Sequence, residues 1–255
     1  MPRPYHPEPY WSTVAKRIRS RGNANVIAGD DEPYYRYKRA RFLEMLSAVQ
    51  VAGKSVLEIG HGPGGNLKFL SEATPAPRRL MGVDISEDMV SLASTILPAS
   101  VALTKINGTE LPFEDDSVDI VFTATVLQHN TDESMLRPLV REIARVAREE
   151  VHLFERIDDP IAGDDLCLGR PVRYYAEMLE QEGFVLAETE FINIHASYLM
   201  AGSIRKGLNP KRREEGEPLN SLSLGLQSAL LPLSKQLDRV MTRDRDLARL
   251  SFRRA

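Results

Sequence analysis

The chain has 255 residues, 42% of them hydrophobic and 27% charged, which is enough apolar material for one large core. Thirty-three Lys and Arg against 36 Asp and Glu leave a formal charge of −3, which argues against a protein built to coat nucleic acid. The single cysteine, Cys167, excludes an intramolecular disulfide and any multi-cysteine zinc site. Residues 1–22 lack the apolar core of a signal peptide. The longest charge-free run near the end, 220–234, is too short and too rich in serine to span a bilayer. A cytoplasmic protein with no membrane span is the expectation.

In chain order, a polar leader contains one helical stretch at 11–21 and closes on the turn Gly29-Asp30-Asp31-Glu32-Pro33. Phe42, Leu43, Leu46 and Val49 then recur at spacings of three and four, which predicts an amphipathic helix over 35–51. Short apolar runs predict strands at 55–59, 80–84, 101–106, 118–123 and 151–155. Helices are predicted between them at 66–72, 87–95 and 133–148. A helix at 172–181 and a strand-like run at 184–194 follow. The rhythm breaks at 205–217, a charged, turn-prone run that includes Lys206, Lys211, Arg212 and Arg213 balanced by Glu214, Glu215 and Glu217. Beyond it, Leu222, Leu226, Leu230, Leu233, Leu237 and Val240 sit at helical spacing, interrupted by Pro232, and read as a core-facing stripe. Leu250-Ser251-Phe252-Arg253 reads as a short closing strand. Strands alternating with helices predict an α/β fold, a doubly wound, mostly parallel seven-stranded Rossmann-like sheet with N-terminal helices and a helical C-terminal insertion. The expected division is a helical leader or cap at 1–52, a core at 53–199, an insertion or lid at 200–245 and a closing strand at 246–255.

The chemistry concentrates in Val56-Leu57-Glu58-Ile59-Gly60-His61-Gly62-Pro63-Gly64-Gly65-Asn66. Glycines directly after a strand let the chain turn tightly and let a ligand approach without Cβ obstruction. Gly60, Gly62 and Gly65 satisfy a G-x-G-x-x-G dinucleotide fingerprint, with Asp84 near the distance of a ribose contact. Glu58, Gly60, Gly62 and Gly64 equally form acidic-x-G-x-G-x-G. The neighbouring blocks decide between the two. Gly82-Val83-Asp84-Ile85-Ser86, then Asn107-Gly108-Thr109-Glu110-Leu111-Pro112-Phe113 with Ser117-Val118-Asp119-Ile120-Val121, then Leu127-Gln128-His129 and Arg141-Glu142-Ile143-Ala144-Arg145-Val146 follow in order. With these, residues 53–157 resemble the class I S-adenosylmethionine-dependent methyltransferases, especially the group that includes quinone-biosynthesis and other small-molecule enzymes.

The resemblance implies S-adenosylmethionine as cofactor. It implies that Asp84 holds the ribose hydroxyls, with Ile85 beside it, and that Asn107, Gly108 and Thr109 form the adenine loop. Glu58 would help orient the methionine end through its amino group or a water, Gly60, His61, Gly62 and Thr123 would be further cofactor contacts, and tyrosines of the leader such as Tyr35 would cover the sulfonium or hydrogen-bond the methionine carboxylate. Two departures stand out. Asn107 replaces an Asp common among relatives, and Arg148-Glu149-Glu150 replaces a Pro-Gly-Gly turn. A base is needed only where the acceptor must lose a proton early; His129, His61 and Glu155 are the candidates. The histidines have no i, i+4 spacing for a metal pair. The expected partner is a small-molecule acceptor, free or saccharide- or lipid-linked, with no nucleic acid and with a homodimer allowed. An RNA or protein methyltransferase is the first alternative, an NAD-dependent oxidoreductase the second.

Overall fold

The computed structural model describes residues 6–20, 32–209 and 219–255. The turn at 29–31 and the charges from Lys211 to Glu217 lie outside the described residues. In chain order the elements begin with helices α1 (Pro7–Ser20) and α2 (Pro33–Ser47). Then come β1 (Ser55–Ile59), α3 (Gly65–Ser71), β2 (Arg79–Asp84), α4 (Glu87–Ser94), β3 (Ala102–Lys105) and β4 (Val118–Ala124). A 3-10 turn at Leu127–His129 leads to α5 (Glu133–Val146) and β5 (Ala147–Ile157). A hairpin of β6 (Ala162–Gly163) and β7 (Leu168–Gly169) precedes α6 (Val172–Glu180) and β8 (Phe184–Phe191). Helices α7 (His195–Leu208) and α8 (Ser221–Asp238) come before the last strand, β9 (Asp246–Arg254).

Seven strands form one sheet in the order β3-β2-β1-β4-β5-β9-β8. The first five pair in parallel; β9 runs antiparallel between β5 and β8. This is the doubly wound Rossmann-like sheet. The winding reverses between β1 and β4, so the carboxyl ends of these two strands splay around a crevice. Strand alternation sends side chains to two cores. Leu57, Ile59, Val121 and Leu153 meet the helices α5 and α6, whereas Val56, Ile120, Phe122 and Phe154 meet α2, α3 and α7. A third, small cluster joins Val14, Ala15 and Ile18 of α1 to Met89 and Leu92 of α4.

Three features depart from the expected elements. Residues 195–208 form α7, although Gly202 and Gly207 disfavour a helix there. Arg148-Glu149-Glu150 is no turn: β5 starts at Ala147, directly after α5, and the three residues lie inside the strand. The leucine stripe of α8 faces outward, with Leu222, Leu226, Leu230, Leu233, Leu237 and Val240 all exposed. None of the described residues of 200–245 lines the crevice; α8 packs on α7 and α2.

Two buried carboxylates act on stability in opposite senses. Asp119 of β4 accepts from the Ser55 amide at 2.7 Å and its hydroxyl at 2.8 Å, tying the start of β1 to β4. Arg148 and Arg78 donate to it at 2.9 and 3.0 Å. Burial raises its pKa, but the Ser55 donors and the two guanidinium groups outweigh burial and hold it below the usual range. Glu58 of β1 accepts only from Asn66 Nδ2, at 2.6 Å, and its Oε2 has no partner. Burial pushes its pKa up to about 8. Asp119→Ala should cost about 2–4 kcal/mol of stability near neutral pH, read by denaturant unfolding. The contribution of Asp119 should vanish in acid, as pH falls through its lowered pKa. For Glu58 the sign reverses, because the folded chain keeps a proton that the unfolded chain releases. Stability should fall as pH rises from about 4.5 toward 8, and Glu58→Gln should remove that slope.

Candidate functional site

The crevice at the carboxyl ends of β1 and β4 encloses about 810 Å3 of empty space, its open mouth included. One wall is the glycine loop after β1. Gly60 and Gly62 line it, with φ of +68° and +52°. A Cβ on Gly60 would come within 2.5 Å of Val126 on the facing loop, so the narrow gap there requires glycine. Asp84 and Ile85, at the end of β2, form the next wall. The Asp84 carboxylate is fixed by two backbone donors, Gly62 N at 2.9 Å and Ser86 N at 2.8 Å. Each oxygen keeps a second acceptor position. Gly108 and Thr109, after β3, close the far end, and Met89 of α4 adds apolar surface.

The opposite wall is the loop after β4, where Ala124, Thr125, Val126, His129 and Asn130 reach the crevice. Two buried charges set its shape. Glu155 of β5 accepts from Thr123 Oγ1 at 2.7 Å and from the amides of Val126 and Gln128, each at 3.0 Å. Arg170, only 1% exposed, donates to the carbonyls of Leu127 at 3.0 Å and Asn130 at 2.7 Å. Burial raises the Glu155 pKa against the lowering effect of these donors. The roof is α1, whose Pro7 and Trp11 line the space. The Trp11 ring meets His129 edge-on with centroids 5.1 Å apart.

His129 Nδ1 lies 2.7 Å from the Leu166 carbonyl, which can only accept, so Nδ1 carries the proton. In the neutral ring Nε2 is then the acceptor, 3.3 Å from the Gln128 amide nitrogen. Burial lowers the His129 pKa, opposed by the Leu166 carbonyl and Asp164, and favours that neutral ring.

The structure brings seven of the expected residues to the crevice: Gly60, Gly62, Asp84, Ile85, Gly108, Thr109 and His129. Six others lie off its walls. Glu155 is fully buried, with both oxygens turned to Thr123 and the β4 loop rather than to the crevice. Thr123 is fully buried and turned toward that carboxylate. His61 bonds the Gly62 carbonyl at 2.8 Å and packs over Gly82, where a Cβ would come 2.9 Å from its ring. Asn107 is exposed, its side-chain oxygen taken by Lys105. Tyr35 accepts from Arg205 at 3.2 Å, and the same guanidinium sits 5.3 Å over its ring. Glu58 points to the α3 side of the sheet, behind the loop. Sequence reasoning overlooked Thr125, whose φ of +58° is unusual for a β-branched residue. It also overlooked Asn130 and Met135 on the wall, and Arg170 behind the loop. None of these carries a local sequence signal.

Residues 56–150 match the family model described as a methyltransferase domain. A curated relative, described as a probable S-adenosylmethionine-dependent methyltransferase of Mycolicibacterium smegmatis, is 32% identical over 123 residues, 48% of this chain and 45% of that protein. The chain spans less than half the length of the curated relatives it matches. Among solved structures, the magnesium protoporphyrin IX methyltransferase of Synechocystis PCC 6803 with bound SAH superimposes with a TM-score of 0.60 at 14% identity. That match covers 97% of this chain and 98% of the other. The [4+2]-cyclase SpnF aligns with a TM-score of 0.56 at 19% identity over 85% of this chain and 80% of its own, so the fold alone does not choose the reaction. What the family match adds to the sheet and its glycine loop is the chemistry: residues 56–150 match a methyltransferase domain, and the curated relative the chain aligns with is described as S-adenosylmethionine-dependent.

Proposed function

We propose that this protein transfers a methyl group from S-adenosylmethionine to a small-molecule acceptor in the cytosol. The observation that carries the reading is the Asp84 carboxylate, held on the crevice wall by Gly62 and Ser86 with acceptor positions to spare. A cis-diol presents two donors at the spacing such a carboxylate accepts. Gly60 fits the same reading, because its missing Cβ keeps the gap to Val126 open. The apolar Ile85, Met89 and Ile106 suit a flat heteroaromatic ring beside Gly108 and Thr109.

The cofactor, when bound, supplies a sulfonium-activated methyl group. The chain aligns the acceptor and excludes water. Trp11 and Met135 enclose the space beside His129, which favours an acceptor small enough to sit under α1 over a polymer. We assign His129 as the group that takes a proton from the acceptor. Its protonated Nδ1 is anchored on Leu166, which leaves Nε2 as the basic atom. Glu155 and Arg170 are positioning residues, acting through the loop that carries His129.

Calorimetry should give binding of S-adenosylmethionine and none of NAD; the reverse result would end this reading. Asp84→Ala, while folded, should weaken cofactor binding by about a hundredfold or more, the loss of two hydrogen bonds to a charged acceptor. With an acceptor found by screening metabolite fractions for release of demethylated cofactor, His129→Gln should lower kcat by about 10²–10⁴. The wild-type rate should drop as pH falls through the lowered His129 pKa, and the variant should lack that limb. A variant that is slow yet retains the limb would make His129 structural.

A further inference from the structure

Helix α8 faces the wrong way for a helix on a solitary molecule. Its inward side is polar: Ser223, Gln227, Ser234 and Asp238 are buried. The Asp238 carboxylate accepts from the Ser197 amide at 3.1 Å and from the Ser197 hydroxyl, which also lies 2.9 Å from the Ser234 hydroxyl. The outward side carries Leu222, Leu226, Leu230, Leu233, Leu237 and Val240, from 39% to 77% exposed. Their spacings of 4, 4, 3, 4 and 3 average 3.6 residues, the α-helical repeat, so they form one stripe along α8 and the turn that follows it. With Met241 they expose roughly 700 Å2 of apolar surface, more than the largest patch of a typical monomer (about 300–600 Å2) and near the about 800 Å2 per partner of a stable interface. No described residue covers this stripe, and 210–218, outside the described residues, contains no apolar side chain apart from two prolines.

We propose that α8 is a self-association face on which two copies of this chain pack helix against helix, antiparallel, about a two-fold axis near Leu230. Area and charge select this occupant. The segment 221–241 has two exposed ionic side chains, Lys235 and Arg239, both at its C-terminal end. Parallel pairing would press these cations together. Antiparallel pairing sets them beside residues 221–234, which contain no ionic side chain, and opposes the helix dipoles favourably. It also brings Leu222 of one copy against Leu237 of the other, and Leu226 against Leu233, along a seam of about 22 Å. Such an isologous contact closes on itself and ends at a dimer. A membrane-surface helix, by contrast, carries a polar face rich in Lys and Arg, and the polar face of α8 is uncharged apart from Asp238 and turned inward.

Sedimentation of the full chain at micromolar concentration should give twice the monomer mass. The double variant Leu226→Glu/Leu233→Glu should sediment as a monomer with an unchanged circular dichroism spectrum, its dimer dissociation constant raised about a hundredfold or more by carboxylates in an apolar seam. Should that variant misfold, Leu230→Cys in a Cys167→Ser background provides an independent reading. A mild added oxidant should link two copies through Cys at 230, whereas Val185→Cys, exposed on β8, should stay unlinked. A wild-type chain that stays monomeric overturns the proposal. So does a monomer that floats with anionic phospholipid vesicles, which would make the stripe a lipid-facing surface.

Discussion

The site depends on one opposed pair of buried charges. The Glu155 carboxylate collects amide protons from Val126 and Gln128, and the Arg170 guanidinium collects carbonyls from Leu127 and Asn130. Between them they satisfy four backbone groups of the loop after β4. Each group alone would be costly to bury. Held by the loop's own dipoles, they impose a single shape on it, Thr125 with its positive φ included. Gln128 extends the lock, because its side-chain carbonyl accepts from the Arg156 amide at 3.1 Å. The histidine on the crevice wall is therefore placed by three residues that never reach the crevice.

The other walls follow from the sheet. Parallel strands end together, so the glycine loop, the Asp84 carboxylate and the Gly108–Thr109 turn arrive on one rim without any long-range device. Asp119 performs the equivalent task at the opposite rim, fixing the start of β1 to β4 through Ser55. Catalytic geometry and sheet register are thus separate problems, solved at opposite ends of the same strands.

Much of this was legible in the sequence, for a physical reason. β1, β2 and β4 are buried on both faces, so they appear as short apolar runs, and the glycines that follow β1 mark its sharp turn. What stayed hidden depends on distant partners. Glu155 lies at a strand end that faces the crevice, but strand alternation turns it toward Thr123 and the loop underneath. His61 and Glu58 sit within the motif yet point to the α3 side. The leucines of α8 reveal a helix but not which way it faces; that is decided by Ser197 offering a hydroxyl and an amide to Asp238. Helix α7 was missed because two glycines dilute its pattern and no side chain caps its start.

The roof differs in kind from the walls. Helix α1 is held by five apolar side chains shared with α4, a hydroxyl pair between Ser12 and Ser86 at 2.9 Å, and solvent-exposed ion pairs such as Lys16 with Asp88. It adds no strand to the sheet and packs mainly on α4. A helix docked through so small a cluster is the piece that comes away at least cost, well before any strand separates. The crevice beneath Trp11 is therefore covered by the part of the fold that yields first, while the sheet that forms its walls stays intact.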